Sequence, residues 1–163
     1  MSIQTPTDDR SLLRVPRPRF SASHVPALLQ TQRQLQFRSM ELALRAHGGI
    51  ATSSELTVAL QTWTAQPVSM LAHWIVDGEV VSFQWASDTM LPMFQFALTP
   101  IAPRRAVTEV LRELNPIMSE WEVALWFTEP NAGLQGAAPV GELAREPQKV
   151  LDAARAHRFW IRG

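Results

Sequence analysis

Cysteine is absent from the 163 residues, which removes disulfide staples, thiolate nucleophiles and cysteine-rich zinc sites together. No apolar run approaches the roughly 18 residues that a membrane span needs. Met1-Ser2-Ile3-Gln4-Thr5 also lacks the basic-then-apolar layout of a signal peptide. The expectation is a soluble, cytoplasmic protein that does not engage membranes. The most telling absence is local. Residues 46–103 contain no lysine or arginine, and their only formal charges are Glu55, Asp77, Glu79 and Asp88. Yet the whole chain balances 15 basic against 15 acidic residues. Residues 1–45 carry the surplus, with seven arginines against Asp8, Asp9 and Glu41, and residues from 104 onward are neutral in sum. An apolar fraction of 46% allows a buried core, and the length suits one compact domain, or two small modules with a tail.

Residues 1–24 read as a basic tail. Pro6, Pro16, Pro18 and Pro26 interrupt any helix, and Arg14-Val15-Pro16-Arg17-Pro18-Arg19 favours extended backbone. From Val25 to Ala46 the pattern turns helical, with Leu28, Leu29, Leu35, Phe37, Met40, Leu42 and Leu44 at near-helical spacing. His47-Gly48-Gly49 ends that helix, since glycine adopts the left-handed cap cheaply. Thr52-Ser53-Ser54-Glu55 is a capping box opening a second helix, and Pro67 suits the first position of a third. After Asp77-Gly78 the period drops to two. Val81, Phe83 and Trp85 alternate with Ser82 and Gln84 as in a half-buried strand. A turn at Ala86-Ser87-Asp88 leads into a second strand from Met90 to Phe96, which Pro92 assigns to a sheet edge. Three helices and a hairpin, in this order, make residues 25–98 a winged helix-turn-helix-like module.

Thr99-Pro100-Ile101-Ala102-Pro103 reads as a stiff linker, followed by an all-helical segment over residues 104–163. Val107, Val110, Leu111 and Leu114 form one stripe, and Ser119-Glu120-Trp121-Glu122 is a second capping box. Pro130 closes the helix that follows and holds Glu129 out of helical geometry. Asn131 suits the turn, Gly136 permits close backbone approach, and Pro139 and Pro147 preset two more helices. The fold class is therefore mainly α with one small β-hairpin: a winged helix-turn-helix-like module followed by a small helical domain.

Catalytic patterns are thin. Ser69, His73 and Asp77 share a helical face, as solvated polar residues commonly do. His24, His47, His73 and His157 are scattered, without ligand spacing. Glu120 and Glu122 suit a helix N-terminus without any chemistry. Neither a phosphate-cradling P-loop nor a Gly-x-Gly-x-x-Gly turn occurs. The expectation is a non-enzyme with no catalytic residues, no metal and no cofactor.

The run from Trp126 to Val140, Trp-Phe-Thr-Glu-Pro-Asn-Ala-Gly-Leu-Gln-Gly-Ala-Ala-Pro-Val, with Leu143 and a terminal helix after it, resembles the toxin-binding domain of Xre/MbcA/ParS-type antitoxins. The similarity covers roughly residues 106–160, about a third of the chain. The Gly78–Trp85 hairpin and Leu91-Pro92-Met93-Phe94-Gln95-Phe96 are similar to the wing of antitoxin variants with a Pro-x-x-Gln-Phe signature. The resemblance implies a non-catalytic protein that neutralises a RES-type, NAD-degrading toxin through its C-terminal domain and acts as a homodimer. It points to Trp126, Pro130, Asn131, Leu134, Gly136, Pro139 and Trp160 as partner-binding residues. A DNA-binding repressor is the alternative, with Arg14, Arg17, Arg19, Ser69 and His73 as its contacts. An orphan interaction module of the same fold is a further one. Phosphate contacts need cations, and the empty stretch 46–103 offers none, so nucleic acid is disfavoured. With six tryptophans in so short a chain, Trp63 and Trp160 are the two expected to reach a partner or a second copy.

Overall fold

The computed structural model describes residues 25–163. Local chemistry sets its landmarks. The Thr52 hydroxyl accepts the Glu55 backbone N–H, and Glu55 accepts the Thr52 N–H in return at 2.7 Å. These contacts, the backbone bond foremost, hold the Glu55 carboxyl below the usual glutamate range. Ser119 and Glu122 make the same reciprocal pair. Both expected capping boxes are present.

Among the described residues there are seven α-helices: α1 (Val25–Leu44), α2 (Ser53–Leu60), α3 (Pro67–Val76), α4 (Arg105–Leu114), α5 (Glu120–Thr128), α6 (Pro139–Glu142) and α7 (Pro147–Arg162). Pro67, Pro139 and Pro147 each stand in the first turn of their helix, where the missing N–H costs no hydrogen bond. Between α1 and α2, Gly48 takes φ +94, and Gly49 N–H returns to the Leu44 carbonyl. The chain can then reverse into β1 (Ile50–Thr52).

The fold is mainly helical, as expected, but its β-structure exceeds one hairpin. β1, β2 (Phe83–Trp85) and β3 (Asp88–Pro92) form an antiparallel sheet in the order β1-β3-β2. The expected edge position of Pro92 is overturned, because β3 is the central strand. Pro92 is tolerated as its last residue, opposite Ile50, after which Met93 N–H donates to Gly49. The second strand also stops earlier than expected. A 3-10 turn over Met93–Gln95 breaks it, and β4 (Phe96–Leu98) begins beyond. The expected stiff linker at 99–103 is instead the return of a second hairpin, with β5 (Ile101–Pro103) pairing Ile101 with Leu98 and Pro103 with Phe96.

Gln95 explains why the strand breaks there. Its side chain is wholly buried. The amide oxygen accepts the Val81 N–H, while the amide nitrogen donates to Val81 O at 2.8 Å and Pro92 O at 2.9 Å. One side chain thus substitutes for a strand partner at Val81, just before β2.

The larger apolar cluster takes Phe37, Met40 and Leu44 from α1, Val81 and Phe83 from the sheet, and Phe94. It continues without interruption into Val107, Val110, Leu111 and Leu114 of α4, Phe127 of α5, and Val150 and Ala154 of α7. Residues on both sides of the 99–103 segment therefore share one core. A smaller cluster under α2 and α3 holds Leu56, Leu60, Leu71, Val80, Leu91 and Phe96. The apolar residues that mark α1's helical spacing divide in two: Phe37, Met40 and Leu44 are buried, while Leu28, Leu29, Leu35 and Leu42 face solvent.

Candidate functional site: a groove at the α5–α7 corner

The corner after α5 follows from its sequence. Glu129 is extended before Pro130. Asn131 then organises the turn, its side-chain oxygen accepting Gly133 N–H at 2.9 Å and its carbonyl accepting the N–H groups of Leu134 and Gly136. Its own N–H donates to Ala137, closing the loop. Gly136, at φ +86, supplies the left-handed step, and Gln135 takes φ +58 before it.

This corner faces α7 across a groove of about 390 Å³ lined by Trp126, Glu129, Pro130, Asn131, Ala132 and Gly133 on one side and Ala153, Ala156, His157 and Trp160 on the other. Trp126 is 6% exposed, and its indole N–H is buried without a hydrogen-bond partner. At the other end Phe159, Trp160 and Ile161 are 73%, 80% and 53% exposed, an uncommon concentration of apolar surface for a helix end. The groove therefore combines a tryptophan floor, an aromatic lip, and one carboxylate and one imidazole at the rim. Such a surface is equipped to grip a polypeptide segment.

Of the seven residues expected to bind a partner, Trp126, Pro130, Asn131 and Trp160 meet on this groove. The other three do not line it. Leu134 is a core residue, Pro139 is buried at the start of α6, and Gly136 sits exposed on the outer turn. A partner could reach Leu134 or Pro139 only by opening the corner. Sequence reading passed over Gly133. A Cβ there would stand 3.1 Å from the Asn131 oxygen and 3.3 Å from the Ala153 Cβ, so the glycine sets how closely the corner approaches α7. The Ala153-Ala154-Arg155-Ala156 run was the available signal for that close approach.

Ser69 and His73 lie exposed on α3, along an open face with Thr64, Gln66 and Trp74. Arg14, Arg17 and Arg19, with the rest of the expected tail at 1–24, lie outside the described residues. Trp63 is 46% exposed beyond the end of α2. No helix among the described residues is long and apolar enough to cross a membrane. Among those residues, no group of three or more histidine and carboxylate side chains is arranged to hold a metal ion. A scan of protein-family models, a search of curated proteins and a search of solved structures each find no match to this chain.

Proposed function

We propose that this chain is a non-catalytic, antitoxin-like binding protein that docks onto a RES-type, NAD-degrading toxin through residues 104–163 and neutralises it. The observation that carries the reading is the groove itself. Four residues selected from sequence line one concavity, beside three exposed apolar residues at the end of α7. Large aromatic groups of this kind anchor protein interfaces. The orphaned Trp126 N–H is buried, so a partner's carbonyl or carboxylate would satisfy it only by opening the corner, as for Leu134 and Pro139. In this reading the chain works as a cytoplasmic homodimer. Residues 25–98 keep a winged helix-turn-helix-like frame as a protein-binding surface, because residues 46–103 bring no cation to a phosphate backbone.

The test is enzymatic on the partner's side. The toxin for the test is a purified RES-domain enzyme, sought first in the reading frame beside this gene, and purified chain added at stoichiometric amounts should stop its consumption of NAD. Trp160→Ala should weaken inhibition at least tenfold with the melting temperature unchanged. Trp126→Phe removes the N–H but also leaves a cavity where the indole packed, so it should weaken binding together with a lowered melting temperature. Undiminished NAD loss at excess chain would refute the reading. So would steeply salt-dependent binding of duplex DNA in place of toxin binding.

A further inference from the structure

A second concavity, of about 220 Å³, opens between the end of α3 and the start of α5, and it shares no residue with the groove at the α5–α7 corner. Its shape follows from the Asp77-Gly78 turn. Gly78 takes φ +68 after α3, and a Cβ there would stand 2.9 Å from the Asn115 amide nitrogen. With no Cβ in the way, Asn115 docks from the end of α4 and donates that nitrogen to the Gly78 carbonyl at 3.2 Å. Its amide oxygen is left as an acceptor.

Ser82 is the residue out of place. It stands in the run Val80-Val81-Ser82-Phe83, whose three apolar members all belong to the two cores, and it is itself only 6% exposed. Packing alone would be served by alanine. Among the described residues the Ser82 hydroxyl has no hydrogen-bond partner, and among them the Trp126 N–H is the only side-chain polar atom both sealed and unpartnered. The Ser82 hydroxyl is therefore not sealed, and it opens onto the cleft that Ser82 lines. A largely buried polar group of this kind calls for a partner from outside the chain, ligand or water.

The rest of the lining fixes the sign of that partner. Glu120 lies exposed at the rim and makes no ion pair among the described residues. The C-terminal end of α3 adds the negative pole of a helix dipole, whereas the positive end of α5 is already met by Glu122 in its capping box. Among the described residues no lysine, arginine or histidine lines the cleft. Ile75, Met118 and Val123 supply an apolar wall. Such a wall, ending in oxygen acceptors, matches a methylene stem that carries an ammonium, since a lysine side chain buries its stem and keeps its head polar in the same way.

We propose that this cleft binds an alkylammonium group, its nitrogen donating to oxygens of Glu120, Asn115 and Ser82 and its stem lying on the three apolar side chains. An ammonium has three donors, one for each oxygen-bearing side chain. The site needs no toxin, so it and the antitoxin reading fail separately.

Titrating the isotope-labelled full chain with n-butylamine hydrochloride at neutral pH should move the amide resonances of Ser82 and Glu120, and the Asn115 side-chain amide, saturably. n-Butanol and sodium butyrate, the same stem with a neutral or an anionic head, should bind about tenfold more weakly or worse, the usual weight of one charge-assisted hydrogen bond. Glu120→Gln should weaken butylammonium by a similar factor with the melting temperature unchanged, since Glu120 lies outside the Ser119/Glu122 capping box. Ser82→Ala should weaken it by a smaller factor. Nα-acetyl-lysine N-methylamide separates the two sources of such a group. Binding as tight as that of butylammonium assigns the cleft to a lysine of a partner polypeptide, and exclusion of its backbone assigns it to a free amine. Shifts that never saturate would leave the cleft to water and overturn the proposal. Equal binding of butanol or butyrate would do the same, as would an affinity indifferent to both substitutions.

Discussion

Position 95 holds an amide that does the work of a missing strand. A side chain with one acceptor and two donors satisfies both backbone groups of Val81 and the carbonyl of Pro92. The 3-10 turn that carries it is thereby fixed against the sheet. Leucine at this position would fill similar volume but leave the Val81 N–H and C=O buried without partners, and each such group costs about 1–3 kcal/mol. Gln95→Leu should therefore lose on the order of 2–4 kcal/mol in urea unfolding, with the denaturant slope unchanged. Gln95→Glu should lose more at neutral pH and recover part of the loss in acid. A carboxylate still accepts from Val81 N–H but buries a charge, and it has no proton for the two carbonyls until it is protonated.

Among the elements, α4 and α7 form the most extensive helix pair, joined across their exposed edge by one carboxylate. Glu113 of α4 accepts from Arg158 at 2.8 Å and from Arg155 at 3.5 Å, both on α7. The Arg158 hydrogen bond, ahead of partial desolvation and the other arginine contacts, sets the net direction and holds the Glu113 carboxyl below its ordinary value. A depressed carboxylate contributes stability that is complete above the unfolded-state pKa and is lost as pH falls through the folded-state value. Glu113→Gln should accordingly lower stability at pH 7 by about 0.5–1 kcal/mol. Melting curves of the two proteins should converge in acid, below the ordinary glutamate range, and also at high salt. Much at this scale was legible in the sequence because the signals are local. Thr52/Glu55 and Ser119/Glu122 announce their helices within four residues, and Pro130 and Asn131 announce the corner. β1 was not legible, because its partner strand stands far along the chain, and the β4–β5 hairpin was not, because Pro100 and Pro103 make its return read as a stiff linker. Nor was the division of α1: Leu35 and Phe37 both fit a helical period, and nothing local says which stripe meets the core. The groove was half legible. Its corner residues stand in one run, whereas Ala153, Ala156 and His157 join it only through the docking of α7.

For the molecule as a whole, the distribution of the core decides how the chain unfolds. A stiff linker at 99–103 would leave two modules that melt separately. Instead Phe94 packs at a tilt on Phe127 with ring centroids 4.9 Å apart, Phe83 meets Trp121 edge-on at 5.3 Å, and Trp85 stacks at 5.6 Å on the same tryptophan. The Gln36 side chain of α1 also accepts the Trp121 indole N–H at 3.3 Å. These contacts cross the supposed boundary, and Arg104 adds to them by donating to the Phe96 carbonyl at 3.0 Å. Separating the segments would expose Phe37, Met40, Leu44, Phe83 and Phe94 on one side and the core faces of α4 and α5 on the other. Each fully uncovered large side chain forfeits about 1.5–3 kcal/mol, so exposing several of them is comparable to the whole net stability of a typical domain. The intact protein should unfold in a single cooperative transition, with near-ultraviolet and far-ultraviolet circular dichroism coincident. A polypeptide of residues 104–163 alone should lack fixed tertiary structure, while mixing it with residues 1–103 should restore the near-ultraviolet signal. Two resolved transitions, or an isolated C-terminal piece with its own sharp melt, would mean that the shared aromatic contacts are dispensable and that the groove at the α5–α7 corner can form without the rest of the chain.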